Sequence, residues 1–236
     1  MNVIALDEVD STQAAARDLL SRGVTLPFVV TAVTQSQGRG RGEHTWISAS
    51  GGLWCTLAWP VSQPALVRQA SVVAGLSIAT VLNKAFQLDT SVKWPNDVLV
   101  RDKKICGILA DMLIGDAEST LLLGIGVNVN NTLDQLLPHA TSLAMELGRD
   151  VDLDEVLHRI LDRVTADIAI LGRQGFTPFA ALLNSVLALR DQNVTVTFGN
   201  SHTSGRVRGI DDSGALLLEG TTGRISTVDA GDIRDS

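Results

Sequence analysis

Ser119-Thr-Leu-Leu-Leu-Gly-Ile-Gly-Val-Asn-Val129 is nearly all apolar over its length. A strand of that kind cannot leave a face in water, so it predicts the centre of a sheet covered on both faces. Ile105-Cys-Gly-Ile-Leu-Ala-Asp-Met-Leu-Ile114 precedes it, and Gly115-Asp-Ala-Glu118 supplies a turn, so the two runs form a hairpin. Gly107 in the first strand, with Gly124 and Gly126 in the second, marks a close backbone approach or a bound ligand.

The rest of the chain supplies what covers this hairpin. Val3-Ile-Ala-Leu6 is a short strand, and Asp10-Ser-Thr12 offers caps for a helix with Ala15, Leu19 and Leu20 as its buried stripe and Gly23 as its end. Phe28–Val33 and Gly52–Trp59 are further strands. A long helix is expected to open at Pro64 and to carry Leu66, Ala70, Val73, Ala74, Ser77, Ile78, Val81, Leu82 and Ala85 at helical spacing. Asp152 with Glu155 starts another, striped by Val156, Ile160, Val164, Ile168 and Leu171 and stopped at Gly172. Thr177-Pro178 opens a shorter one through Leu183. Near Arg190 the pattern changes to short strands with turns at Gly199-Asn200, Asp211–Gly214 and Thr222-Gly223, which suggests a small antiparallel barrel. Two units follow, 1–188 and 189–236.

Between the second and third strands lies Gln35-Ser-Gln-Gly-Arg-Gly-Arg-Gly-Glu-His-Thr-Trp46. Gly38, Gly40 and Gly42 let backbone N–H groups approach a ligand, and Arg39 and Arg41 add charge and planar donors suited to carboxylate or phosphate. The dinucleotide fingerprint fails because Glu43 stands at the third glycine and no helix follows; the Walker loop fails for want of Gly-Lys-Ser/Thr. A flexible Arg-Gly loop or an RNA contact remains the plain alternative. The net charge of -7 and pI near 5.0 make the loop a positive island in an acidic chain, which disfavours a nucleic-acid partner. Cys55 and Cys106 lack metal-ligand spacing and fit a reducing compartment, so a cytoplasmic location is expected. No membrane span or signal peptide is evident.

A second polar cluster falls in Ser91-Val-Lys-Trp-Pro-Asn-Asp-Val-Leu-Val100. Pro-Asn-Asp is good turn chemistry by itself, yet Lys93, Trp94, Asn96 and Asp97 put a cation, an aromatic face, an amide and a carboxylate at one bend. That set suits a purine and a metal-bound phosphate. Lys104 is either a solvated turn lysine or a site cation, and Asn128 either a cap or a ligand contact. His139, His158 and His202 are isolated and expected to be structural or exposed.

Gly38-Arg-Gly-Arg41 with Trp46, Lys93-Trp-Pro-Asn-Asp97, Lys104-Ile-Cys-Gly-Ile-Leu109 and Gly124-Ile-Gly-Val-Asn128 together resemble the ordered motifs of biotin protein ligases. Asp10-Ser-Thr12, Ala140-Thr-Ser-Leu143 and the short-stranded tail match the same family. The resemblance implies an α+β fold: a class II aminoacyl-tRNA synthetase-like mixed sheet with helices on one side, plus a small C-terminal SH3-like β-barrel. It implies that ATP and biotin give biotinyl-5′-AMP and pyrophosphate, with Mg²⁺ on the phosphates. Biotin then passes to a lysine of a biotin carboxyl carrier protein. It assigns Lys104, Arg39 and Arg41 to catalysis. Ser11, Thr12, Gln13, Gln35, Gly38, Arg39, Gly40, Arg41, Lys104 and Gly107 would bind biotin. Arg39, Arg41, Trp46, Lys93, Asn96, Asp97, Lys104 and Asn128 would bind the nucleotide, and no residue is assigned as a direct metal ligand. The loop is expected to order on ligand binding and exclude water from the anhydride.

The departures are specific. The family pattern usually continues Gly-Arg-Gly-Arg-x-Gly-Arg-x-Trp, whereas Glu43 replaces a glycine and His44 an arginine here. Weaker retention of the adenylate, or a different loop closure, is expected. Asp111 stands where a glutamate is frequent. No DNA-binding helices precede Val3, so the chain resembles the monofunctional subclass and no operator binding is expected. Family members often pair through the main sheet, which makes a homodimer the implied assembly. A lipoate or octanoate ligase and a non-catalytic biotin or nucleotide sensor are the alternatives.

Overall fold

The computed structural model describes residues 1–42, 44–63, 66–115 and 118–235, the last two by backbone alone. Glu43, the expected helix start at Pro64 and the middle of the turn at 116–117 lie outside the described residues. Strand β1 (Asn2–Val9) leads into helix α1 (Thr12–Ser21), and the chain returns as β2 (Phe28–Gln35), parallel to β1. Ser11 caps α1, its Oγ accepting from the Ala14 N–H at 3.1 Å, and Gly23 follows the helix at φ 81°. Next come β3 (Leu53–Val61), α2 (Val67–Phe86), β4 (Thr90–Lys93), β5 (Asp97–Val100), β6 (Lys103–Leu113) and β7 (Ser119–Val127).

The seven strands lie in the order β1-β2-β3-β7-β6-β5-β4, with β1–β2 the parallel pair. Strand β7 is therefore central, held between β3 and β6, as its apolar run requires. Side chains alternate along it. Leu121, Leu123, Ile125 and Val127 face α2 and the long helix that follows later at Leu153–Gln174, and all are buried. Burying each such side chain contributes roughly 2 kcal/mol. Leu122 faces the other way, into a smaller core with Ala16 of α1, Phe28, Val30 and Ala58. So the long helices share one face, as the resemblance implies, and α1 covers part of the opposite face. Past Leu122 that second face continues as Gly124 and Gly126, beyond the reach of the α1 core.

After a short 3-10 turn at Leu133–Gln135 come α3 (Leu143–Leu147), α4 (Leu153–Gln174) and α5 (Thr177–Ser185). Asp152 caps α4, accepting from the Asp154 N–H at 2.9 Å. The expected stop at Gly172 is corrected: α4 runs on to Gln174 and ends at Gly175, whose φ of 71° suits glycine. A Cβ at Gly172 would meet nothing within 4 Å, so the glycine sits in open helix. Helix α4 clamps α2 through buried Asp167, whose Oδ2 accepts from Ser77 Oγ at 2.7 Å and Arg163 Nε at 2.5 Å.

The tail forms β8 (Asn193–Phe198), β9 (Ser201–Ile210), β10 (Leu216–Glu219), β11 (Ile225–Val228) and β12 (Asp232–Asp235). They make an antiparallel five-stranded sheet in the order β11-β10-β9-β8-β12. Its Val194, Val196, Val207, Leu216 and Leu218 join the same core as α2 and α4. Asn184 of α5 donates Nδ2 to the Ile210 carbonyl and accepts the Ile210 N–H, both at 2.9 Å. The small sheet is thus docked on the large one. Among the described residues no helix is long and apolar enough to cross a membrane.

Candidate functional site

Gly124 and Gly126 of β7 and Gly107 of β6 form a bare strip on the α1 side of the sheet, since Gly107 and Gly126 are register partners. The side chains that cross it show why no Cβ is present. One at Gly124 would lie 3.1 Å from Gln13 Nε2, and ones at Gly107 and Gly126 would lie 2.6 Å and 2.7 Å from the Trp46 indole. Gln13 comes from the start of α1 and is held there by donating Nε2 to the Leu109 carbonyl at 2.7 Å. The strip is the floor of a cavity of about 360 Å³, whose walls include Ser11, Thr12, Gln35, Arg39, Arg41, Trp46, Lys93, Asn96, Asp97, Lys104 and Asn128. That volume lies within the usual range for small-molecule sites.

One end of the cavity is polar. Thr12, first residue of α1, donates its backbone N–H to Gln35 Oε1 at 2.8 Å and its hydroxyl to the same oxygen at 3.2 Å. Thr56 of β3, fully buried, donates to Thr12 Oγ1 at 2.8 Å, and Ser48 accepts from Gln35 Nε2 at 2.6 Å. The sequence reading missed both hydroxyls. Thr56 had a signal, as a polar residue inside the apolar run Leu53–Trp59; Ser48 had none.

The loop between β2 and β3 folds back as a small hairpin. Trp46 N–H donates to the Gly38 carbonyl at 2.9 Å, Gly40 N–H to His44 at 2.7 Å, and His44 N–H to Arg41 at 3.1 Å. Gly42 sits at its tip with φ 57°. Arg39 is exposed and has no ion-pair partner among the described residues. Arg41 is committed elsewhere: its Nη1 lies 2.8 Å from Asp232 Oδ1 and donates to the Gly231 carbonyl at 3.0 Å. Asp232 and Ile233 of β12 thereby join the cavity wall. Nothing in the tail's sequence announced this.

The other end is ionic. Lys104 Nζ lies 2.7 Å from Asp97 Oδ1 and 5.0 Å from the centroid of the Trp46 ring. The pairing is diagonal: Asp97 faces Gly107, and Lys104 faces Leu99 across a register shift between Val98 and Leu99. The approach is off the hydrogen-bonding direction, so buried Asp97 Oδ1 keeps an unmet lone pair. Asn96 donates Nδ2 to the Ile108 carbonyl and Asn128 to the Thr141 carbonyl, both at 3.0 Å, so each amide nitrogen is used to fix backbone. Trp46 lies on the glycine floor, with its indole N–H buried and without an acceptor.

One expectation needs correction. Trp94 offers no free aromatic face: it is 3% exposed and donates Nε1 to the Gly214 carbonyl at 3.1 Å, pinning the bend to the small sheet. Cys55 and Cys106 are buried; burial pushes the Cys55 thiol up to about 12, and burial together with Asp97 raises Cys106 well above its ordinary value. Neither thiol is a nucleophile at neutral pH. Asp111, on the same face, pairs with Arg17 of α1. His139, His158 and His202 are exposed.

Among the described residues no three His, Cys, Asp or Glu side chains group as metal ligands. Magnesium bound through substrate phosphates needs only one or two carboxylates. Asp97, a carboxylate of the cavity wall, fits that limited demand.

Comparison with known proteins agrees with this geometry. The model of the biotin/lipoate A/B protein ligase family matches residues 5–130, and that of the biotin protein ligase C-terminal domain matches 191–234. The chain is 33% identical to a biotin–[acetyl-CoA-carboxylase] ligase of Paracoccus denitrificans, over 93% of this chain and 95% of the relative. It is 32% identical to the bifunctional ligase/repressor BirA of Bacillus subtilis, over 94% of this chain and 70% of the relative. The biotin protein ligase of Aquifex aeolicus, solved with biotin and ATP, superposes with a TM-score of 0.86 at 30% identity, covering 100% of this chain and 99% of that one. With more than half its length matched by the first family model, the chain belongs to the biotin/lipoate A/B protein ligase family.

Proposed function

We propose that the chain is an ATP-dependent biotin protein ligase, forming biotinyl-5′-AMP and transferring biotin to a lysine of a biotin carboxyl carrier protein. The observation that carries this is one cavity with a polar head end at Thr12 and Gln35, a glycine floor, and the Lys104–Asp97 pair at its far end. A flat bicyclic head with an apolar chain and a terminal carboxylate matches that order of features. Relatives named as biotin ligases, and a neighbour solved with biotin and ATP, support the same reading.

The chemistry follows from charge. A biotin carboxylate oxygen attacks the α-phosphorus of ATP and pyrophosphate leaves. Two anions must meet, and negative charge grows on the phosphoryl oxygens in the transition state. Lys104 supplies the cation at that point, and Asp97 holds it in place; with the substrate phosphates, Asp97 is the residue that would hold Mg²⁺, which would neutralise phosphate charge. Arg39 is free to approach the phosphates. Arg41 reaches them after exchanging its contact with Asp232. Gly38 and Gly40 bring loop backbone close to biotin, and Lys93, Asn96, Asn128 and Trp46 flank the nucleotide. The carrier lysine amine then attacks the acyl carbon, AMP leaves, and the amine proton passes to solvent.

The polar end decides against lipoate and octanoate. Neither offers hydrogen-bonding groups at the head, so the second N–H of Gln35, whose amide is set by Thr12 and Ser48, would be left unmet. The catalytic unit is taken as 1–188 and the small unit as 189–236. Carrier and ligase are placed in the cytoplasm. A homodimer through the free edge of β1 belongs to the same reading and is checked by sedimentation equilibrium.

The test is incubation with Mg·ATP, biotin and a carrier domain. Biotin should appear on one carrier lysine by mass spectrometry and disappear when that lysine is replaced by arginine. Biotin binding without transfer or adenylate formation would favour the sensor. The loop makes a further prediction: His44→Arg restores a positive charge beside Arg41 and should slow biotinyl-5′-AMP release. An unchanged rate of release, followed by filter binding, would count against that role.

A further inference from the structure

Ser48 lies two residues beyond Trp46, is 5% exposed, and stands behind the cavity wall. It is nevertheless part of a continuous hydrogen-bond path that runs from β3 through the start of α1 and the end of β2 to the loop. Thr56 Oγ1 donates to Thr12 Oγ1 at 2.8 Å; Thr12 reaches Gln35 Oε1 through its N–H at 2.8 Å and its hydroxyl at 3.2 Å. Gln35 Nε2 then reaches Ser48 Oγ at 2.6 Å, and Ser48 Oγ the Trp46 carbonyl at 3.3 Å. Backbone pairs the same two residues, Gln35 N–H donating to the Ser48 carbonyl at 3.2 Å.

The protons in this path have one consistent arrangement. The Thr12 backbone N–H can only donate, so the Gln35 atom facing it is the carbonyl oxygen. That turns the Gln35 amino group toward Ser48, whose oxygen must accept. The one hydroxyl hydrogen of Ser48 then goes to the Trp46 carbonyl. Gln35 Nε2 carries two hydrogens and spends one on Ser48, which leaves the second for the cavity that Gln35 lines.

We propose that Ser48 is a positioning residue for biotin recognition: it fixes the Gln35 amide so that one N–H faces the ureido carbonyl, and ties that amide to the loop segment carrying Trp46. The proposal rests on the ligase reading. Its test separates binding from chemistry.

Ser48→Ala removes the acceptor and should raise the KM for biotin about tenfold, while kcat and the KM for ATP stay within about twofold. Thermal melting shows whether the variant is folded; should it not be, Ser48→Cys, of similar volume and a weaker acceptor, is read by the same ratio. A biotin KM within twofold of wild type, or biotin and ATP KM values rising together, overturns the proposal. If wild-type protein releases no pyrophosphate with biotin, the ligase reading fails, and calorimetric titration with biotin alone then decides. Tenfold weaker binding by Ser48→Ala would still support the positioning role, equal affinity would overturn it, and no binding by wild-type protein would overturn both.

Discussion

Lys104→Ala should slow biotin-dependent pyrophosphate release by about a hundredfold or more, the cost of removing roughly 3 kcal/mol of transition-state stabilisation. Lys104 Nζ is the one cation in ion-pair contact with Asp97 among the described residues, 2.7 Å from its Oδ1, and it overlies the glycine floor beside Trp46. Both reacting groups are anionic, so the loss falls on the step in which they meet. The side chain is a third exposed, so its removal should leave the fold intact. The deficit should appear in kcat for adenylate formation, with biotin binding much less affected. Pre-steady-state pyrophosphate release measures it. A variant with kcat near wild type would remove Lys104 from the mechanism.

Gly38→Ala should lower kcat/KM for biotin by about a hundredfold, through backbone geometry and not through charge. A Cβ at Gly38 would stand 2.3 Å from the Trp46 carbonyl oxygen and 2.6 Å from Ser48 Oγ. The first of these atoms is backbone, so no rotamer change relieves it. The Trp46 N–H to Gly38 carbonyl bond closes the loop, and a displaced loop takes Arg39 and Arg41 with it. Because the clash falls on loop backbone, buried but outside both hydrophobic cores, the melting temperature should fall by only a few degrees. Activity within threefold of wild type would show that the hairpin seen here does not matter for turnover.

Much of the fold was legible because it rests on local period. The apolar run of β7 demanded a central place, and the turn before it fixed its partner. Ser11 and Asp152 marked helix starts that the structure confirms. Helix ends were less legible: Gly172 and Gly175 lie three residues apart, and it is the positive φ of Gly175 that shows which one leaves the helix. The site divided in the same way. Gly107, Gly124 and Gly126 stood out as glycines in strands, and the structure joins them into one floor. Long-range pairings left no trace in local pattern. Arg41 and Asp232 are 191 positions apart in sequence, and Trp94 and Gly214 are 120 apart, yet each pair is in contact. For Trp94 this matters most, since an aromatic ring at a polar bend suggested stacking, whereas its indole N–H is spent on holding the two sheets together.

The central claim is tested most directly by pyrophosphate release from Mg·ATP with biotin, lipoate and octanoate run side by side. Release with biotin alone is the predicted result. Release with lipoate or octanoate in its place, or tight biotin binding with no release, would contradict the account.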